Sequence, residues 1–251
     1  RFAVALSSGT AAVHLRLRAL GVSEGDTVLC SSLTFIASAA PIRYCGAEPV
    51  FIDSSEVDWN LDPDLLRTAV VELQAEGRQP RALVVVDVLG QSADYSPILE
   101  VCAEFGIAVL EDAAEALGGS YRGSPVGAFG DASVLSFNGN KIISTGGEGG
   151  MVVTDCPDIW ERAWSFKDHG KGWDAIQNCQ QQRTVFKWLH ESIGTNWRMT
   201  EMQAAIGRIA LKRLPVWVKA RQSHAALLDD ELSNVSGIEV LKPSANVEHS
   251  Y

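Results

Sequence analysis

Four short segments of the chain hold residue types that can do chemistry. Ser7-Ser8-Gly9-Thr10 stands where an apolar run gives way to a helical pattern. A helix N-terminus leaves backbone N–H groups free and carries a partial positive charge, so it suits a phosphate; Gly allows close approach and the hydroxyls add donors. The same residues also read as a plain Ser/Thr helix cap. Glu111-Asp112 follows the apolar run Ile107–Leu110. In an open parallel sheet ligands bind beyond the carboxyl ends of the strands, and a carboxylate there can pair with a cationic ring nitrogen. It can equally cap a helix over Ala113–Leu117. Lys141 closes Ser136-Phe137-Asn138-Gly139-Asn140-Lys141, after an apolar run and just before Gly146-Gly147-Glu148-Gly149-Gly150. A Schiff-base lysine must reach its neutral form, starting from a reference pKa of about 10.4, and partial burial beside polar donors would lower it. Without context it is a surface lysine at a strand end. Asn196-Trp197-Arg198 leads into another helical pattern, where Asn and Arg could reach an anion or serve as a cap and a surface charge.

These residues need elements to position them. Phe2–Leu6 reads as a strand and Thr10–Leu20 as a helix, with Val13, Leu17 and Leu20 on one face and Gly21 as its stop. The pattern continues with a strand Thr27–Cys30, a helix Phe35–Cys45, a strand Pro49–Ile52 and a helix Pro63–Glu76 with Asp62 as N-cap. Arg81–Leu89 is apolar on both faces, as buried parallel strands are, and Tyr95–Phe105 reads as a helix before the strand Ile107–Leu110. This βαβ rhythm predicts an α/β fold with a mainly parallel sheet between helices. Two further strands, Ala132–Phe137 and Met151–Thr154, flank the Gly-rich bend, and Asp158–Phe166 is helical. Residues 168–190 lack a period and read as a long loop, of a length that is usually functional or mobile. Met199–Leu211 and Val216–Leu232 read as two helices separated at Pro215, with a last hydrophobic strand around Ile238–Leu241. The expected division is a large domain over 1–214 and, over 215–251, a linking helix with the start of a small C-terminal α/β domain.

Composition narrows the function classes. Of 251 residues 46% are apolar and 21% charged, and the mean hydropathy is +0.04, an ordinary soluble balance. A formal net charge of -10 argues against nucleic acid and anionic membrane as main partners, though local geometry can still favour a small anion. No apolar run reaches the roughly 20 residues that span a bilayer. Cys30, Cys45, Cys102, Cys156 and Cys179 are odd in number and without CxxC spacing, which reads as reduced thiols in a cytoplasmic protein. The five histidines show no metal-ligand spacing, so no metal site is expected. Arg1 begins within a strand pattern and Tyr251 follows closely on another, so a fragment of a longer protein is expected.

The segments and their order resemble the DegT/DnrJ/EryC1/StrS family of nucleotide-sugar aminotransferases. The resemblance runs from residue 2 to about 213. It is carried by Ser8-Gly9-Thr10, Thr34-Phe35, Glu48-Pro49-Val50-Phe51-Ile52-Asp53, Glu111-Asp112-Ala113-Ala114-Glu115-Ala116-Leu117-Gly118, Ser136-Phe137-Asn138-Gly139-Asn140-Lys141 and Asn196-Trp197-Arg198-Met199-Thr200-Glu201-Met202-Gln203-Ala204-Ala205. It implies the large domain of a fold-type-I transferase, with a seven-stranded type of sheet, that uses pyridoxal 5'-phosphate (PLP). By the resemblance Lys141 carries PLP covalently and then moves the proton, and Asp112 pairs with the pyridinium nitrogen. Gly9, Thr10 and Ser136 hold the phosphate, with Ser8 in the same turn; Phe35 stacks on the ring and Asn138 lines the pocket. Asn196, with Arg198, reaches the phosphate site of a neighbouring subunit, so a homodimer is implied. Many members have Gln in place of Glu115, near the cofactor's phenolic oxygen; a Glu serves there only if protonated, or it points elsewhere. A dehydratase branch replaces the lysine with His, and Lys141 is present. The implied reaction passes an amino group from glutamate to a nucleotide-linked keto-sugar. His169, Lys171, Trp173, Trp188 and His190 form a candidate substrate wall or a structural loop at the dimer interface. Two other readings stay open at this level: another fold-type-I enzyme, such as an amino-acid aminotransferase or a desulfurase using Cys179, and a non-catalytic PLP-binding protein.

Overall fold

The computed structural model describes residues 1–174, 176 and 190–251. Seven strands form one sheet: β1 (Phe2–Leu6), β2 (Thr27–Ser31), β3 (Glu48–Ile52), β4 (Pro80–Val86), β5 (Ala108–Asp112), β8 (Ala132–Ser136) and β9 (Gly150–Thr154). Their spatial order is β1-β9-β8-β5-β4-β2-β3. The run β8-β5-β4-β2-β3 is parallel, while β9 is antiparallel to both β8 and β1. The parallel strands are apolar because both faces are covered: every residue of β2 and β8 is buried.

On one face lie α1 (Gly9–Ala19), α2 (Ile36–Tyr44) and α5 (Pro157–Lys167). There Val13, Leu17 and Ile42 share a core with Val28, Val84 and Val134. On the other face α3 (Pro63–Ala75) and α4 (Tyr95–Phe105) pack Leu66, Val70 and Ile98 against Leu29, Leu83 and Val109. Asp62 caps α3 by accepting from the N–H groups of Asp64 and Leu65, as its position before Pro63 predicts. This is the expected α/β layering, with a seven-stranded, mainly parallel sheet between helices.

Three local expectations are corrected. The strand expected to Leu89 ends at Val86. Residues Val88–Gly90 form a 3-10 turn with Leu89 at φ 54, which takes the chain away from the ladder. The two helices expected on either side of Pro215 are one helix, α6, over Glu201–Ser233. A Thr200–Gln203 capping box starts it, and Ala210, Leu214 and Val218 pack inward on both sides of the proline. Burial on both flanks outweighs the single backbone bond that Pro215 removes. Ile238–Leu241 is not a strand, and Ile238 is exposed. Instead β10 (Val247–Glu248) joins β6 (Ser120–Tyr121) and β7 (Ser124–Pro125) in a small antiparallel sheet that the sequence pattern does not announce. Among the described residues no helix is long and apolar enough to cross a membrane, and no His/Cys/Asp/Glu group could hold a metal ion.

Candidate active site

A cavity of about 330 Å³ opens at the carboxyl ends of β4, β5 and β8, the position where open parallel sheets place ligands. Its lining includes Ser8, Gly9, Thr10, Phe35, Asp112, Glu115, Ser136, Asn138 and Lys141. Of the sequence-predicted site residues these nine converge, although 133 positions separate the first from the last in the chain. Asn196 does not line this cavity; it forms a bridge with Asp168, and Arg198 also bonds Asp168. Of the candidate wall, His169, Lys171 and His190 lie together, Lys171 bridged to His190 and bonded to Asp168, while Trp173 packs on Trp160 and Trp164. Trp188 and Cys179 lie outside the described residues.

Each wall has a local cause. β1 runs into α1 through Ser8, whose hydroxyl accepts from the Ala11 N–H at 3.1 Å while its carbonyl accepts from Ala12. Gly9 and Thr10 are left with N–H groups that no carbonyl of the helix can reach. The turn is held in place by the Ser7 N–H donating to the Trp197 carbonyl at 2.9 Å. Gly9 lies against Ser136 so closely that a Cβ there would meet the serine Cβ at 2.9 Å and its Oγ at 3.0 Å. A helix N-terminus and a hydroxyl thus meet at one small concave spot, which only glycine keeps open.

The lysine is presented by a tied loop after β8. Phe137 and Gly139 donate to the carbonyls of Gly149 and Gly147, and Thr145 donates back to Phe137. The Asn138 amide donates to Glu148 Oε1 at 2.7 Å, and the Asn138 carbonyl accepts from the Lys141 N–H. The Lys141 side chain is only 16% exposed, and its Nζ lies 3.0 Å from Glu115 Oε1. Glu115 Oε2 accepts from the Leu89 N–H at 2.9 Å. Glu115 therefore does not point elsewhere; it serves as an acceptor inside the cavity, between the lysine and the β4 turn.

Asp112 ends β5 and is buried. Its Oδ2 accepts from the Ser38 hydroxyl at 2.6 Å and its Oδ1 from the Ala114 N–H at 3.2 Å. Burial pushes its carboxyl above the usual range, although those two donors and the Lys141 charge favour the ionised form. Such a carboxylate gains most from a cation brought close to it. Phe35 stands at the N-cap position of α2, is 72% exposed and lines the cavity. Ser38, Glu148 and the Leu89 N–H are participants that the sequence reading missed. None has a local signature; Ser38 and Leu89 are defined by partners 74 and 26 positions away, and Glu148 by Asn138 across the loop.

The family model for the DegT/DnrJ/EryC1/StrS aminotransferases matches residues 1–251. This chain belongs to that family. It is 36% identical over 251 residues to a GDP-perosamine synthase of Escherichia coli O157:H7, covering 100% of this chain and 64% of the relative. It is 36% identical over 236 residues to the dTDP-3-amino-3,4,6-trideoxy-alpha-D-glucose transaminase of Streptomyces venezuelae, covering 94% and 57%. Among solved structures, the aminotransferase from Psychrobacter cryohalolentis superposes with a TM-score of 0.92 at 36% identity, covering 100% of this chain and 64% of that one. The chain thus spans less than two thirds of the length of the relatives it matches.

Proposed function

We propose that this chain is the cofactor-holding part of a PLP-dependent aminotransferase that passes an amino group from glutamate to a keto-sugar carried on a nucleotide. The observation that carries the reading is one cavity bringing together Lys141, a buried Asp112 and the α1 N-terminus. The residues present fit the cofactor. The Gly9–Ser136 contact leaves a cradle that a Cβ would fill, beside free N–H groups suited to a phosphate. Asp112 offers a desolvated carboxylate to a protonated ring nitrogen, and Phe35 offers an exposed aromatic face to the ring.

When bound, PLP supplies the electron sink that lets an amino group leave one carbon and join another. The chain's own residues do the rest. Asp112 keeps the ring nitrogen protonated. Ser8, Gly9, Thr10 and Ser136 hold the phosphate and fix the register of the ring. Lys141 provides the covalent attachment at Nζ and afterwards carries the proton as general acid and base. Glu115 holds the Lys141 Nζ at the cavity by accepting its hydrogen bond. Asn138 orients the loop that presents the lysine. Asn196, outside the cavity of its own chain, is assigned to the phosphate of a neighbouring subunit, so the site is completed in a homodimer. The names of the relatives support a nucleotide-sugar acceptor, and the reading places the protein in the cytoplasm, in deoxyamino-sugar and polysaccharide biosynthesis.

The test is a half-reaction on protein loaded with PLP. Glutamate should bleach the visible band of the bound cofactor, and a nucleotide-linked keto-sugar should restore it. A band that glutamate leaves unchanged, or that only a non-sugar keto acid restores, would reject the reading in favour of an amino-acid enzyme or a binding protein.

A further inference from the structure

Directly behind Asp112, on the opposite face of the sheet, lie two more buried acids that the proposed chemistry does not use. Side chains alternate along a strand, so Glu111 faces away from Asp112, towards α4. β5 pairs with β4 through Val85↔Glu111 and Val86↔Asp112, and the next residue, Asp87, donates its N–H to the Asp112 carbonyl at 3.1 Å. Asp87 and Glu111 are both fully buried.

Their hydrogen bonds are unequal. Glu111 takes three donors and keeps one acceptor place: Oε1 accepts from the Gly127 N–H at 2.6 Å, and Oε2 accepts from the Phe129 N–H at 2.8 Å and from the Ser133 hydroxyl. Asp87 is one-sided: Oδ1 accepts from the Ala93 N–H at 2.9 Å and the Tyr95 hydroxyl at 3.1 Å. Its Oδ2 is buried and receives no N–H or O–H from the described residues. The two carboxyls belong to one buried cluster: Tyr95, which donates to Asp87, stacks on Phe129, whose N–H donates to Glu111. Two carboxylates can share a hydrogen bond only when one of them keeps a proton, and a buried oxygen with no donor is the place for it.

We propose that Asp87 is a neutral carboxylic acid whose Oδ2–H donates to an ionised Glu111, and that this contact positions the Asp112 strand end beneath the cavity. Three donors hold Glu111 in its charged form, while nothing stabilises a charge on Asp87 Oδ2. Burial and the neighbouring Glu111 charge both push the Asp87 carboxyl well up, with Asp112 adding to the push. Tyr95 is the other titratable group against the pair, and it donates to Oδ1. The shared proton leaves Glu111 and Asp112 as the charged members of the three buried acids. It also ties β4 to β5 at the point where the β4 turn delivers the Leu89 N–H to Glu115. Asp87 is thus a positioning residue that acts through Asp112 and Glu115.

The protonation is read on the protein without cofactor, by infrared spectroscopy at pH 8, so it stands or falls apart from the PLP reading. A protonated-carboxyl band should be present, shift on labelling aspartate carboxyls with carbon-13 and stay in place on labelling glutamate. It should persist in Asp112→Asn and vanish in Asp87→Asn. No such band, or a band that moves with the glutamate label, overturns the proposal. Asp112→Asn gives the answer by itself should Asp87→Asn fail to fold. The positioning role is read as the PLP concentration giving half-formation of the borohydride-trapped adduct, and as the pH at which bound PLP changes colour. Asp87→Asn, which keeps an N–H donor to Glu111, should stay within about twofold of wild type and leave that pH in place. Asp87→Ala should raise the concentration about tenfold and move the pH. Glu111→Gln, whose amide would point N–H groups at other donors, should do the same. Equal loss in Asp87→Asn and Asp87→Ala would mean that Asp87 works as an anion, which contradicts the proposal.

Discussion

Asp112 and Arg16 are both buried ionisable side chains in contact with the same sheet, and they sit at its opposite ends. Asp112 stands at the carboxyl end of β5, receives two hydrogen bonds and lines a cavity. Arg16 belongs to α1, with Asp131 and Cys156 as its charge neighbours, at the end where β8 begins and β9 finishes. None of its guanidinium nitrogens has a hydrogen-bond partner among the described residues. Burial lowers it to about 10 against the pull of those neighbours. A perturbed ionisable group points to chemistry only where donors and an open volume converge on it. Asp112 has both, and Arg16 is a core side chain whose charge is badly placed.

The comparison breaks most visibly at Asp112. Asp112→Asn should weaken PLP binding about a hundredfold, or roughly 3 kcal/mol, because the ring nitrogen loses its buried counter-charge. Titration of the cofactor into the protein measures this, and a loss below about threefold would place Asp112 beside Arg16 as a merely structural charge. A smaller effect of opposite sign is expected at the other end. Arg16→Met removes an unpaired buried charge and should raise stability in urea by about 2 kcal/mol, with PLP affinity unchanged. Destabilisation would mean that the guanidinium has a partner.

The smallest effect is a pH slope. Asp87, Glu111 and Asp112 all have folded pKa values above the carboxylate reference, so the native chain binds more protons than the unfolded one. Stability without cofactor should be greatest near the reference pKa of about 4, fall as pH rises through the raised values, and then level off. Urea midpoints across that range test it; stability that climbs with pH over the whole range would show that burial does not raise these three carboxyls.

Legibility in the sequence followed the range of the interactions. The turn at Ser8-Gly9-Thr10, the strand end at Asp112 and the Lys141 segment are legible in position because strand ends and helix caps are local properties, while their expected roles come from the order of the motifs and the family resemblance. The parallel sheet was readable from doubly apolar runs such as Ala82–Val86. Pro215 misled because packing on both sides of it, at Ala210 and Val218, overrides a local breaker. The small sheet of β6, β7 and β10 joins residues some 125 positions apart, as the Val247↔Tyr121 pairing shows, and two-residue strands carry no period. Ser38, Leu89 and Asp87 gain their roles only from partners that the fold brings in, across 74 positions between Ser38 and Asp112. Asn196 was named from its motif, and its own chain's cavity does not include it.

The central claim is that Lys141 carries the cofactor, and borohydride trapping tests it most directly. The protein is incubated with PLP, reduced and digested, and the modified peptide is identified by mass spectrometry. The account predicts a phosphopyridoxyl group on Lys141 and no trapped adduct in Lys141→Ala. A wild-type protein without an adduct, or one modified at another lysine and still labelled in Lys141→Ala, would contradict it.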